Sequence, residues 1–412
     1  MSETTETPGI PETPGIPETL VRRSPWPDSV SRAVVMPLQP SVVYASADPD
    51  QLDAQYEGRV AGFTYAREGH PNASVLAARI DALEGAPAAG GGGLILGSGM
   101  AAVSAVLLGL LKAGDHVLGG DQLYGRTLRL MAQDLPRLGI ATSLADPTDA
   151  AAFAAAIRPE TRLILVEVVS NPTLRVADME GIIALARARG IAVAVDNTFT
   201  TPRGYRPFGH GADIVIHSVT KMLAGHSDVT LGYVATRDPA QSRAIRDFAV
   251  TTGMTPSPFD CWLADRGLMS FHLRYDRAEA NAAALADHLA GLAGVARVIY
   301  PTRADHPDHN RARAILGARG GHMLSFEVRG GRAAANALTR AMPDVAFAPT
   351  LGDIGTTLSH PASSSHRLLD GAGRAAIGIS EGFFRVSVGV EDIAVLKRDF
   401  AAGVGAAQEA AG

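Results

Sequence analysis

The tightest limit on this fold is a series of short, continuous apolar runs separated by stretches of helical character. Leu94-Ile95-Leu96, His116-Val117-Leu118, Leu163-Ile164-Leu165-Val166, Ile191-Ala192-Val193-Ala194-Val195 and Asp213-Ile214-Val215-Ile216 are too short for helices. None shows the apolar/polar alternation of a strand with one wet face, so each reads as a strand buried on both faces. Between and around them, Ala73 to Glu84, Ala101 to Lys112 and Ile182 to Arg189 carry apolar residues at helical spacing. Strands of this kind alternating with helices predict a mainly parallel sheet flanked by helices. Beyond about residue 270 the pattern changes to an Ala-rich helix, Ala278 to Leu292. Mixed strands follow at His322 to Val328 and Phe384 to Val388, the pattern of a smaller α+β domain.

The chain divides on this reading into a leader over 1–22, an N-terminal arm over 23–72, a large domain over 73–270 and a small C-terminal domain over 271–412. The leader repeats Glu-Thr-Pro-Gly-Ile-Pro, whose prolines oppose both helix and sheet pairing, and is expected to be disordered. The arm reads as irregular from Val34 to Asn72. A length of 412 residues, 46% hydrophobic and 19% charged, suits a globular protein with large cores. The net charge of -5 comes from well-mixed acids and bases. No basic run suggests a nucleic-acid partner, and no apolar stretch suggests a membrane span. The N-terminus lacks a signal-peptide pattern, so the expected location is the cytoplasm. The single cysteine, Cys261, allows no internal disulfide and reads as a small buried apolar group. No residue spacing suggests a metal site, and Gly90 to Gly93 lacks the residues of a nucleotide loop and reads as a plain turn.

Ligands of open α/β sheets bind at the carboxyl ends of the strands. Three such ends carry chemistry. Gly97-Ser98-Gly99-Met100 opens a helix, where backbone N–H groups meet an anion; Ser98 also reads as a simple cap. Asp196 ends an apolar strand, either as a turn residue or as the partner of a cation. Lys221 lies in His217-Ser218-Val219-Thr220-Lys221-Met222-Leu223-Ala224-Gly225-His226-Ser227, directly after a buried run. A lysine there costs heavily unless its charge is paired or removed. An anion site, an acid and a buried lysine together are what pyridoxal 5'-phosphate requires. The helix start takes the phosphate with Ser218 and Thr220, Asp196 pairs with the pyridine nitrogen, and Lys221 forms the Schiff base.

From Tyr65 to Asp392 the chain also resembles the Cys/Met-metabolism pyridoxal-phosphate enzymes, a family that includes cystathionine γ-synthase, cystathionine γ-lyase, methionine γ-lyase and the O-acylhomoserine sulfhydrylases. The resemblance rests on Tyr65-Ala66-Arg67, Ser98-Gly99-Met100, Tyr124-Gly125, Glu167 with Asn171-Pro172, Asp196-Asn197-Thr198, the lysine stretch, Leu358 to Ser363 and Glu381 to Ser387. It implies a fold-type I architecture with a seven-stranded sheet. It implies too that Gly99 and Met100 hold the phosphate and that Tyr65 and Arg67 reach the cofactor of a neighbouring subunit. Tyr124 stacks on the ring and assists proton transfer, and Lys221 shuttles protons. Arg385, with Asn171 and Thr350, binds the substrate carboxylate. For Tyr124 a core-packing role, and for Arg385 a surface position on an alternating strand, stay open on the residues alone. His226, His360 and His366 read as structural hydrogen bonders.

The implied activity is γ-elimination or γ-replacement on a homoserine- or methionine-type amino acid, in a homodimer or homotetramer with shared sites. The alternatives are an aminotransferase or β-lyase on the same fold, or a cofactor-binding regulator without turnover. The sequence departs from the family at Glu68, Arg126, Met222, Ala224 and Thr350. These positions are expected where the substrate side chain and leaving group lie. Glu68 and Arg126 either recognise a polar or charged side chain or pair with each other.

Overall fold

The computed structural model describes residues 30–31, 33–367 and 369–412, so the expected leader lies outside the described residues. The chain divides into two units after Pro37, and both of its sheets belong to the unit from Leu38 to Gly412. The apolar runs form five strands of a seven-stranded sheet in the order β1-β7-β6-β5-β4-β2-β3. Its strands are β1 (Leu94–Leu96), β2 (His116–Gly120), β3 (Ala141–Ala145), β4 (Thr161–Glu167), β5 (Ala192–Asp196), β6 (Ile214–Ser218) and β7 (Gly232–Thr236). Only β7 runs against the others, pairing antiparallel with both β6 and β1. The apolar runs of the interior strands are continuous because helices cover both faces: Val193, Val195 and Ile164 pack in one core and Ala194, Leu163 and Leu165 in another. The edge strand β3, Ala-Thr-Ser-Leu-Ala, is largely accessible and has no continuous apolar run, which is why it carries no strand signal in sequence.

Helix boundaries follow local chemistry more closely than apolar spacing does. The helix expected from Ala73 begins at Pro71, because His70 caps it: its Nδ1 accepts the Ala73 N–H at 3.2 Å. The helix expected over Ala101 to Lys112 spans Gly99–Leu110, capped by Ser98, whose Oγ accepts the Ala101 N–H at 3.0 Å. The arm is not wholly irregular. Pro49–Tyr56 is a helix with Asp48 as its cap. Only Ala54 of it is buried, so it has no apolar stripe to betray it. The four-glycine stretch is a packing device. A Cβ on Gly93 would collide with the Tyr233 ring and lie 2.5 Å from Asp81 Oδ1.

A second, five-stranded sheet follows in the order β10-β11-β12-β9-β8. Its strands are β8 (Val295–Ile299), β9 (Met323–Val328), β10 (Ala346–Phe347), β11 (Thr357–Ser359) and β12 (Phe383–Ser387). The helices Phe271–Ala290, Gly331–Arg340 and Ile393–Ala411 contribute to its core. Phe384 and Val386 of β12 enter that core, so period-two geometry sends Arg385 to the opposite face. Cys261 is fully buried among apolar residues, and burial pushes its thiol up to about 12. Among the described residues no cluster of ligating side chains fits a metal ion, and no helix is long and apolar enough to cross a membrane.

His322, just before β9, is fully buried between the rings of Phe199 and Tyr275, with no hydrogen-bond partner on either nitrogen. Burial, with Arg385 adding repulsion, lowers its pKa from 6.5 to about 3. The unfolded chain therefore binds this proton first. The contribution of the neutral ring to stability is complete above pH 6.5 and is lost as pH falls toward 3. Denaturation measured between pH 7 and 4 should lose up to about 1.4 kcal/mol per pH unit through this group. His322→Leu should flatten the curve; an unchanged slope would contradict the assignment.

Candidate active site

The carboxyl ends of β1, β4, β5 and β6 open into a cavity of about 260 Å³, also lined by Arg385 from the second sheet and by Pro349, Thr350 and Leu351 from a loop of that domain. Its walls bring together Ser98, Gly99, Met100, Tyr124, Asn171, Asp196, Ser218, Thr220, Lys221, Thr350 and Arg385, which are spread over most of the sequence. Strand order explains the meeting. β5 and β6 are parallel neighbours, with Asp196 opposite Ile216, so the acid and the lysine loop emerge side by side. β1 reaches them from the far side of β7, delivering the helix start. The fit is close. A Cβ on Gly99 would lie 2.6 Å from Ser218 Cβ, so only glycine lets the helix start approach β6.

Lys221 sits in a tight turn between β6 and β7. Its neighbours Val219, Met222, Leu223 and Ala224 are all buried in the core below, which turns the lysine up into the cavity. Among the described residues its Nζ meets only Thr350 Oγ1, at 3.4 Å. Burial lowers its pKa and Arg385 adds to the effect. Asp196 receives two donors from Thr198, the backbone N–H at 3.1 Å and the hydroxyl at 2.5 Å, both on Oδ1. Behind it, Asn197 donates to Glu84 Oε1 at 2.8 Å, and His217 bonds the same oxygen, tying the ends of β5 and β6 to the helix Pro71–Glu84. This fully buried set carries no functional signal in sequence, because Glu84 is remote from the strands that it joins.

The position of Arg385 is settled by burial: 6% of it is exposed. Its Nη1 donates to Asn171 Oδ1 at 2.8 Å and its Nη2 to the Thr350 carbonyl at 2.5 Å, while Nε is buried without a partner. Burial lowers this guanidinium to about 10, so it stays charged at neutral pH. Tyr124 caps a short helix, Gly125–Arg129, and 42% of it is exposed at the cavity mouth. It is therefore not a core-packing residue. Thr220 lines the cavity, but its hydroxyl is engaged with the Leu231 backbone, donating to the carbonyl at 3.1 Å and accepting the N–H at 2.9 Å. Ser218 Oγ makes no such internal bond among the described residues.

Four expected residues are not brought to this cavity within one chain. Tyr65 is 41% exposed, the side chain of Arg67 47%, and the Arg67 guanidinium lies over the Tyr65 ring. Glu68 faces Arg67 at 3.6 Å and lines a separate cavity of about 60 Å³ with His70 and Arg246. It does not pair with Arg126. Arg126 is exposed because Tyr124 and Thr127, three residues apart on one helical face, take the inward direction. Met222 and Ala224 also depart from expectation: their side chains lie in the core, not beside a substrate. His226, His360 and His366 are hydrogen-bonded as expected, to Ala224 O, to Ser363 and Glu381 O, and to Ser365.

Sequence reasoning also passed over Arg274, on the helix Phe271–Ala290. Its guanidinium is buried beneath the lysine turn and donates to the carbonyls of Met222 at 2.8 Å, Leu223 at 3.1 Å and Gly267 at 2.9 Å. Burial lowers its pKa to about 10. The Leu-Arg-Tyr spacing alone resembles any exposed helical charge. Arg274→Met should cost on the order of 3 kcal/mol, because three carbonyls lose a charged donor in the core. A urea midpoint at unchanged m-value measures this; a loss below about 1 kcal/mol would show that the turn holds itself.

The family model described as Cys/Met metabolism PLP-dependent enzyme matches residues 18–405. An L-methionine gamma-lyase of Pseudomonas putida is 38% identical over 90% of this chain and 93% of its own. An O-succinylhomoserine sulfhydrylase of Pseudomonas aeruginosa is 39% identical over 86% of both chains. The crystal structure of cystathionine gamma synthase from Xanthomonas oryzae pv. oryzae in complex with cystathionine superposes with a TM-score of 0.86 at 35% identity, covering 93% of this chain and 96% of that one.

Proposed function

The chain belongs to the Cys/Met metabolism pyridoxal-phosphate-dependent enzymes, and from that premise we propose that it catalyses γ-elimination or γ-replacement on a homoserine- or methionine-type amino acid. The observation that carries this reading is the convergence of half-buried Lys221 and Asp196 and buried Arg385 on one cavity. The residues suit the cofactor. Lys221 is a half-buried amine with one long polar contact among the described residues, so losing its charge relieves a desolvation cost. Asp196 takes both Thr198 donors on one oxygen, and the helix start at Gly99 and Met100 offers unpaired N–H groups to a phosphate. When bound, pyridoxal 5'-phosphate supplies an electron sink for negative charge at the substrate α-carbon.

Arg385 holds the substrate α-carboxylate through the donors that Asn171 and Thr350 leave free, and so orients the α-hydrogen toward Lys221. Lys221 Nζ takes the α-proton, hands it on and, neutral again, takes a β-proton, a role that a lowered pKa favours because the neutral amine is the base. Tyr124, at the cavity mouth, covers the ring and helps expel water. The γ-substituent then leaves. The four-carbon unit either adds a nucleophile or is released as a 2-oxo acid with ammonia. Tyr65 and Arg67 are exposed on the arm and serve a neighbouring copy's phosphate site, so the working unit is a homodimer or homotetramer with shared sites. We read residues 73–270 as the cofactor-holding part and 271–412 as the part that brings Arg385 to it.

The test is incubation of the cofactor-loaded protein with O-acylhomoserines, cystathionine, methionine and S-adenosylmethionine, with and without thiols, followed by product mass. A γ-substituted amino acid or 2-oxobutyrate is expected. Pyruvate from cystathionine would instead mark a β-lyase, and turnover only with a 2-oxo-acid acceptor would mark an aminotransferase.

A further inference from the structure

Glu167 has no part in the chemistry assigned to Lys221, Tyr124 and Arg385, yet it occupies a costly position. It ends β4, directly opposite Asp196 at the end of β5, and both carboxylates face the same cavity. Glu167 is buried, and its Oε1 accepts the backbone N–H of Tyr124 at 2.7 Å. Two largely desolvated carboxylates side by side on neighbouring strands do not both ionise cheaply. The donors are unequal: Asp196 has the Thr198 N–H and hydroxyl, Glu167 one backbone N–H. The charge therefore rests on Asp196 and the proton on Glu167. The direction of the carboxyl shift agrees, since burial and then the neighbouring Asp196 push Glu167 well above the usual carboxylate range.

We propose that Glu167 is a positioning residue working as an uncharged acid: it anchors the start of the Tyr124 helix through that N–H and leaves Asp196 as the single anion facing the cofactor. The ring of Tyr124 is set by the backbone that Glu167 holds, because Tyr124 is the residue immediately before the helix Gly125–Arg129. Glutamine has the same shape and keeps the accepting oxygen, whereas alanine leaves the Tyr124 N–H without its partner. The inference rests on the cavity being the pyridoxal-phosphate site.

The experiment is titration of cofactor-free protein with pyridoxal 5'-phosphate, read by protein fluorescence and visible absorbance, for wild type, Glu167→Gln and Glu167→Ala. Alanine should weaken cofactor affinity by at least about 10-fold, and glutamine should restore it to within about 3-fold of wild type. Toward alkaline pH the wild type should lose affinity as Glu167 ionises beside Asp196, and the glutamine variant should lack that limb. Lys221, Tyr124 and Arg385 face the same cavity and His217 acts on Asp196 from behind the sheet; all four are present in both proteins, so the difference between the curves isolates Glu167. Glutamine as damaging as alanine would overturn the uncharged acid, and alanine as mild as glutamine would overturn the anchor. Should alanine fail to fold, the glutamine titration and its pH curve decide alone. Failure of the wild type to take up the cofactor would sink the site reading itself, and this inference with it.

Discussion

Lys221→Ala should abolish the visible absorbance of the lysine-bound cofactor and lower turnover by at least about 10³-fold, while leaving the cofactor-free protein as stable as wild type or slightly more so. The activity term follows from the loss of both the covalent link and the proton carrier at the α- and β-carbons. The stability term follows from burial. In the cofactor-free chain the amine is largely desolvated, its pKa is lowered, and its one polar contact is a 3.4 Å approach to Thr350 Oγ1. Removing such a group removes a cost, as is usual where function is bought with strain. Absorbance titration, steady-state rates and thermal melting measure the three quantities. A strongly destabilised variant would show that Lys221 is a structural residue and that its burial needs another explanation.

Arg385→Ala should lower kcat/KM for amino-acid substrates by about 10² to 10³-fold, most of it in KM. A guanidinium held in place by Asn171 Oδ1 and the Thr350 carbonyl, with its Nε buried and unpartnered among the described residues, keeps donors for the substrate carboxylate in the proposed function. Losing a buried charge-assisted pair costs roughly 3–4 kcal/mol, which is that range of rates. Because the carboxylate is gripped in the ground state as firmly as in the transition state, the loss falls on binding. Arg385→Lys should recover little, since an ammonium cannot reach Asn171, Thr350 and a carboxylate in one plane. Amines that lack the carboxylate test the point directly: their kcat/KM should be nearly equal in wild type and variant. An Arg385→Ala enzyme with unchanged KM would remove Arg385 from substrate binding.

Much of this site is legible in the residues alone, and the reason is chemical. A lysine or an aspartate directly after a continuous apolar run is expensive wherever that run is buried, so Lys221 and Asp196 declare themselves. The strands β1, β2, β4, β5 and β6 do so for the same reason, since each carries an apolar run unbroken by polar positions. The edge strand β3 and the arm helix Pro49–Tyr56 are silent because each is wetted on most of its surface. Glu68, Arg126, Met222 and Ala224 do not line the cavity of their own chain for a different reason: neighbours in sequence to site residues need not face the same way. One helical step turns Arg126 outward beside Thr127, and the lysine turn buries Met222 and Ala224 beneath itself.

What the sequence determined by itself was the set of groups that cannot be buried idly: the lysine, the aspartate at the strand end and the glycine-bearing helix start. Their common chemistry follows from residue type, and so does the cofactor. What only the tertiary structure decided was company. Arg385, on an alternating strand, is equally consistent with water or cavity until its neighbours Phe384 and Val386 are found in the second core. Arg274 under the lysine turn, Glu84 behind Asp196, and Glu167 opposite Asp196 each act through a residue far away in the chain. A charge shows its cost in its own sequence neighbourhood, but the partners that offset that cost are chosen by strand order, which local sequence does not contain.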